Sequence, residues 1–86
     1  MGLLKTETIY NGMEVTYHHI AHITTDMYTG SCQAVLHSWP SKEARTPVTP
    51  PLLTRNYNFN LTGESAMIDG YNAIKALPYW ADAIDA

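Results

Sequence analysis

The chain has 86 residues, of which 15% are charged, and a formal net charge of −3. Its five cations, Lys5, Lys42, Arg45, Arg55 and Lys75, are scattered along the sequence. They make no basic footprint of the clustered kind that nucleic-acid binding draws on. Cys32 is the only cysteine, which excludes an intrachain disulfide. No apolar run approaches the roughly 20 residues of a membrane-spanning helix.

The first predicted element is a hairpin. Asn11-Gly12 between strand-like flanks fits a two-residue type I′ turn. In that register Tyr10 faces Met13, Thr8 faces Val15, Thr6 faces Tyr17 and Leu4 faces His19. One side then carries Leu4, Tyr10, Met13, Val15 and Tyr17. The other, wet side carries Lys5, Glu7, Glu14, Thr16 and His18. The alternation breaks at Ile20, which requires a bulge or a bend. Gly30 in "DMYTGS" offers a positive φ for the next turn. "SCQAVLHSW" reads as a third strand, ended by Pro40.

Residues 1–39 are therefore expected to form a three-stranded antiparallel meander. Residues 40–51 hold Pro40, Pro47, Pro50 and Pro51 and read as a loop or an extended, polyproline-like arm. Within 52–62, Leu53, Arg55, Tyr57, Phe59 and Leu61 alternate with Thr54, Asn56, Asn58 and Asn60, the pattern of a fourth strand. Thr62 or Ser65 can cap a helix. Met67, Ile68, Tyr71, Ile74 and Leu77 follow at helical spacing, and Gly70 weakens that helix by about 1 kcal/mol against alanine. Pro78 starts a second helical turn with Trp80 and Ile84 inward, so residues 64–86 read as a helical C-terminus. The expected architecture is a single α+β domain: an antiparallel sheet of about four strands with one or two short C-terminal helices.

"MEVTYHHIAHITTD" concentrates three of the four histidines. On a strand His18 and His22 stand roughly 13 Å apart at about 3.3 Å per residue, too far to share an ion. His37 on the next strand could approach His22. His18, His22 and His37 are thus weak metal candidates, and the reading is of no metal and no cofactor. His19, opposite Leu4, is expected to be the partly buried histidine, bonded to a backbone carbonyl. Cys32 with a nearby histidine could form a thiolate pair, but a lone cysteine on a half-apolar strand reads as packing. No glycine-rich phosphate loop and no converging carboxylate pair occurs. No catalytic residue is assigned, and the chain reads as non-enzymatic.

Six tyrosines and two tryptophans are many rings for so small a body, and exposed rings are enriched at protein interfaces. The expected interface residues are Trp39, Val48, Leu52, Leu53, Tyr79 and Trp80. The 40–51 arm is either docked on a neighbour or an ordinary surface loop.

Two segments, "KTETIYNGMEVTYHHI" and "GYNAIKALPYWADAID", resemble small proteins encoded among the tail genes of tailed bacteriophages. In that family a lysine-led strand, an Asn-Gly turn and a Tyr-His or Tyr-Trp step open the chain. A helix ending in Lys-x-Leu-Pro, then an aromatic and a final acid, closes it. Asn11, Gly12, Tyr17 and His18 match the opening; Tyr71, Lys75, Leu77, Pro78, Trp80 and Asp85 match the close. The proline-rich middle departs from the family. The resemblance implies a virion component, a tail or baseplate accessory subunit made in the host cytoplasm. Its partners would be other virion proteins in multiple copies, with no nucleic acid, membrane or small-molecule substrate. The alternatives are a small phage protein that inhibits a host factor and a metal-dependent enzyme built on the histidines.

Overall fold

Side chains that alternate across four segments build a sheet, and a fifth short strand at the C-terminus completes it. A computed structural model describes residues 2–9 and 12–86. The elements run β1 (Leu3–Thr8), β2 (Glu14–Thr25), β3 (Ser31–Trp39), β4 (Leu53–Asn60), α1 (Ala66–Lys75), a 3-10 turn (Pro78–Trp80) and β5 (Ile84–Asp85). The strands lie in the order β4-β3-β2-β1-β5, each antiparallel to its neighbours. The architecture is α+β, with five strands and one α-helix rather than about four strands and a fully helical C-terminus. Ile84, expected inward, is 65% exposed and pairs with Leu4 on β5. Backbone bonding to β1 takes it, and the Ala86 N–H donates to the Gly2 carbonyl beyond it at 2.9 Å.

The first hairpin departs from the expected register. The Ile9 N–H donates to the Met13 carbonyl and the Gly12 N–H to the Ile9 carbonyl, both at 2.9 Å. Tyr10 and Asn11, on which the expected pairing and turn relied, lie outside the described residues. Thr8 pairs with Glu14 and Glu7 with Val15, one residue away from the expected register. A one-residue slip exchanges the faces of a strand. An extra residue in β1 between Leu4 and Glu7 then shifts the pairing again, to Leu4 with Tyr17 and Leu3 with His18. Glu7 and His18, expected on the wet side, are 8% and 0% exposed, while Leu4 is open.

The break at Ile20 is a bulge. Ile20 pairs with Leu36 but His22 with Val35, leaving Ala21 as the extra residue. The bulge keeps Ile20 and Ile23 on the face that meets α1. There Leu3, Ile20, Cys32, Ala34, Leu36 and Phe59 pack against Tyr71, Ile74 and Trp80. Ser65 rather than Thr62 caps α1, its hydroxyl accepting from the Ile68 N–H. Thr62 instead donates from both its N–H and its hydroxyl to the Asp69 carboxylate. Gly70 has a packing role: a Cβ there would stand 3.1 Å from Ile20 Cδ1 and 3.4 Å from the Phe59 ring. Its missing side chain lets the helix approach the sheet, which offsets the propensity cost.

The opposite face of β2 and β3 carries Tyr17 and Trp39, and residues 40–51 fold back over it. This arm is not a polyproline helix. Tight turns close Ser41 on Ala44, Lys42 on Arg45 and Thr46 on Thr49. The Trp39 indole donates to the Thr49 carbonyl, and the Thr16 hydroxyl to the Pro40 carbonyl. Trp39, an expected interface residue, is consequently 6% exposed within its own chain.

Gly12 has φ +82° and open space around its Cα, so a side chain there meets backbone strain and no clash. Gly12→Val should lower the unfolding free energy by about 1–2 kcal/mol, read as a shifted urea midpoint at unchanged slope. An unchanged midpoint would show that the loop does not need the left-handed conformation.

Candidate functional site

The histidines are divided between the two faces of the sheet. His18 is fully buried against Trp80 of the C-terminal turn, opposite Ser38. His22, beside Val35, and His37, opposite His19, share the other face. The three metal candidates therefore do not converge. Among the described residues no three of His, Cys, Asp or Glu form a group that could hold a metal ion. His19 is partly buried and bonds the Ile20 backbone carbonyl, as expected, and His18 makes a bond of the same kind, its Nε2 lying 2.8 Å from the Lys5 carbonyl. Cys32 is buried in the core, 3.4 Å from the Thr25 hydroxyl.

Around His18 the structure assembles a polar centre. Glu7 on β1 accepts both terminal nitrogens of Arg55 on β4, at 2.9 and 2.7 Å, and also the Tyr79 hydroxyl from the C-terminal turn. His18 Nδ1 stands 2.7 Å from the Ser38 hydroxyl, and Nε2 is 3.5 Å from the Glu7 carboxylate. Facing a carbonyl, Nε2 carries the proton, so the Ser38 hydroxyl donates to Nδ1. Ser38 in turn accepts from Arg55 at 3.4 Å. The Trp80 ring closes the centre, edge-on to His18 at 4.8 Å and 5.1 Å from the Arg55 guanidinium. Burial pushes His18 below its ordinary value, against the pull of the Lys5 carbonyl and Glu7. Burial alone would push Glu7 up, but the bonds from Arg55 and Tyr79 outweigh it and hold the carboxyl below its ordinary value.

Ser38, His18 and Glu7 have the composition of a nucleophile, base and acid. Their setting does not let them act as one. Ser38 and His18 are both 0% exposed, and a strand interior offers no pair of free N–H groups to receive an oxyanion. In this arrangement the group joins strands. A sequence signal for it existed in "LTRNYNF": Arg55 lies on the same face as Leu53, Tyr57 and Phe59, and a cation on an apolar face demands a buried acid.

Of the remaining interface candidates, Trp80 is 1% exposed and belongs to the core, because the C-terminal turn folds it over His18 and Arg55. Tyr79 is 55% exposed although its hydroxyl is engaged by Glu7. Val48 at the tip of the arm is 89% exposed, and Leu52 and Leu53 are half-buried. Two open features bear on function, beside a shallow cleft of about 470 Å³ lined by Leu4, Lys5, Thr6, Thr16, Asp82 and Ile84. The first is the outer edge of β4, the last strand of the sheet. The second is a groove of about 280 Å³ between the arm and the sheet, lined by His19, Ala21, His37, Trp39, Arg45, Thr46 and Pro47. Among the described residues no helix is long and apolar enough to cross a membrane. No protein family, curated protein or solved structure matches this chain.

Glu7→Gln should cost about 3 kcal/mol, since it leaves the Arg55 charge enclosed without its carboxylate. Adding Arg55→Met should recover part of that loss; full additivity in the double-mutant cycle would mean that the two side chains are not coupled.

The acid response follows from Glu7 and the lowered histidines. Glu7 is held below its ordinary value of 4.5, and His18, His19 and His37 below 6.5, so the unfolded chain binds more protons than the folded one. Stability present at neutral pH should decline as pH falls below 6.5, from the three histidines, and again below 4.5, from Glu7. His18→Gln should lessen the first decline without abolishing it, in melting temperatures measured from pH 7.5 to 3.5.

Proposed function

We propose that this chain is a non-enzymatic structural subunit of a phage virion, a tail or baseplate accessory protein that docks by adding its β4 edge to a neighbouring subunit. The observation that carries the reading is the state of that edge. An exposed edge strand is a template for another chain, and proteins ordinarily blunt it with charge, proline, a bulge or a covering element. β4 runs for eight residues from Leu53 to Asn60 with no proline, and its register with β3 is unbroken. Its one charge, Arg55, is turned into the polar centre toward Glu7. Thr54, Asn56, Asn58 and Asn60 stay exposed and uncharged.

Strand addition gives affinity through main-chain hydrogen bonds, so it needs neither a deep pocket nor a large apolar patch. That suits a body this small and this sparsely charged. The fully enclosed Ser38 and His18 also favour a binding role over catalysis. The resemblance at the two ends of the chain supports a place among tail components, with virion proteins as partners and the virion as its final location.

The experiment is mass spectrometry of purified particles from infections carrying the wild-type gene or Asn56→Lys/Asn58→Lys. The paired lysines supply the edge charge that β4 lacks. The expected result is wild-type chain at fixed stoichiometry and at least a tenfold loss of the variant, whose melting temperature should stay within a few degrees of the parent. Absence of the wild-type chain from particles would overturn the reading, and its recovery on a host protein would favour the inhibitor alternative.

A further inference from the structure

The cations of this chain are unevenly used. Lys5 pairs with Asp82, Arg55 with Glu7 and Lys75 with Asp85. Among the described residues Lys42 and Arg45 have no carboxylate partner. Both lie on the arm over the second face of the sheet, Lys42 at 6.0 Å from the Tyr17 ring and Arg45 at 5.9 Å from the Trp39 ring. His19 and His37 lie opposite each other on β2 and β3 beneath the same arm, and the exposed His22 lies further along that face. A chain of net charge −3 thus gathers its unpaired cations and three of its four histidines on one face.

The groove sits among these groups. Arg45, Thr46 and Pro47 form one wall, and His19, Ala21, His37 and Trp39 form the floor and the other wall. No carboxylate lines it, and Glu43, two residues from Arg45 on the arm, makes no ion pair with it. Ala21, the extra residue of the β2 bulge, contributes the smallest lining side chain. At about 280 Å³ the groove is near the lower end of ligand sites, which begin at about 300 Å³.

We propose that this groove is a binding site for a small anion, a phosphate or carboxylate group held by Arg45 together with the imidazoles of His37 and His19. Arg45 supplies the charge and a planar fork of N–H donors that fits two oxygens of either group. The imidazoles are neutral at physiological pH, His19 being pushed down to about 4 and His37 also lowered, chiefly by burial. Each then carries one N–H donor, that of His19 shared with the Ile20 backbone, and the Thr46 hydroxyl can add another while it accepts from the Thr49 hydroxyl 2.6 Å away. Trp39 holds the Arg45 side chain over the groove through its ring while its own indole N–H is committed to Thr49. The bound anion would be matched in charge by one arginine and in geometry by donors from both sides.

The test is a nuclear magnetic resonance titration of the isotopically labelled whole chain at pH 7 with inorganic phosphate, and separately with acetate. Sodium chloride at equal ionic strength is the control. The site predicts saturable shifts confined to the backbone of His19, Ala21 and His37, the Trp39 indole and the Arg45 Nε–H. Saturation with phosphate alone identifies a phosphoryl site, and saturation with both identifies a general oxyanion site. Arg45→Ala should weaken binding at least tenfold, and His37→Gln should weaken it to a smaller degree. Arg45 is exposed on the arm, so a spectrum otherwise unchanged will show that the variant is folded. The proposal is overturned if chloride reproduces the shifts, if neither anion saturates, or if Arg45→Ala binds like the parent.

Discussion

One enclosed carboxylate holds the layout of this sheet together. Glu7 on β1 reaches Arg55 on β4 across the intervening β2 and β3, which contribute His18 and Ser38 to the same centre. The C-terminal turn adds Tyr79 and Trp80. Every long strand therefore has a side chain in one polar cluster. A buried charge pair is not a net source of stability against apolar side chains of equal size. Its consequence here is specificity: slipping any of the four strands by one residue would leave a buried charge or a buried hydroxyl without its partner.

The C-terminal segment depends on that centre. Residues 78–86 have little apolar surface of their own to bury beyond Trp80 and Ala83. They are held instead by Tyr79 on Glu7, by Lys5 on Asp82 and by backbone pairing of β5 with β1. This anchoring closes the β1 side of the sheet. The β4 side receives no such cover, so the two edges differ, one blunted and the other open. Under the proposed docking, such asymmetry would give a neighbour a single direction from which to add.

The two faces differ as well. The helix face is a compact apolar core with one enclosed polar knot. The arm face is shallower, covered by tight turns instead of a helix, and the polar groups that line its groove are basic or neutral. Folding the arm back uses the Trp39 indole and the Pro40 carbonyl internally, so the prolines shape turns here and do not stiffen an extended strap. A groove lined by donors and free of carboxylates follows from placing Arg45 and Thr46 across from two histidines.

Much of the fold was legible in the chain itself. Strict alternation from Leu53 to Asn60, the apolar run ended by Pro40 and the helical spacing of Tyr71 and Ile74 reflect local periodicity, which burial enforces wherever one face is dry. Gly12 and Gly30 were legible as positive-φ positions for the same local reason, and both adopt them. The faces of β1 were not legible, because turn residues do not fix a register that shifts again between Leu4 and Glu7. Only the pairing of whole strands set it. That choice turned Glu7 and His18 inward and left Leu4 outside, against their individual hydropathies, because Arg55, 48 residues away, supplied the partner that made an enclosed carboxylate tolerable. The gathering of His19, His37 and Arg45 was likewise beyond sequence reading, since it depends on cross-strand register and on the way the arm turns back. Periodicity set by the local backbone was written in the sequence; pairings between distant residues were decided by the tertiary structure, where enclosing one charge requires another.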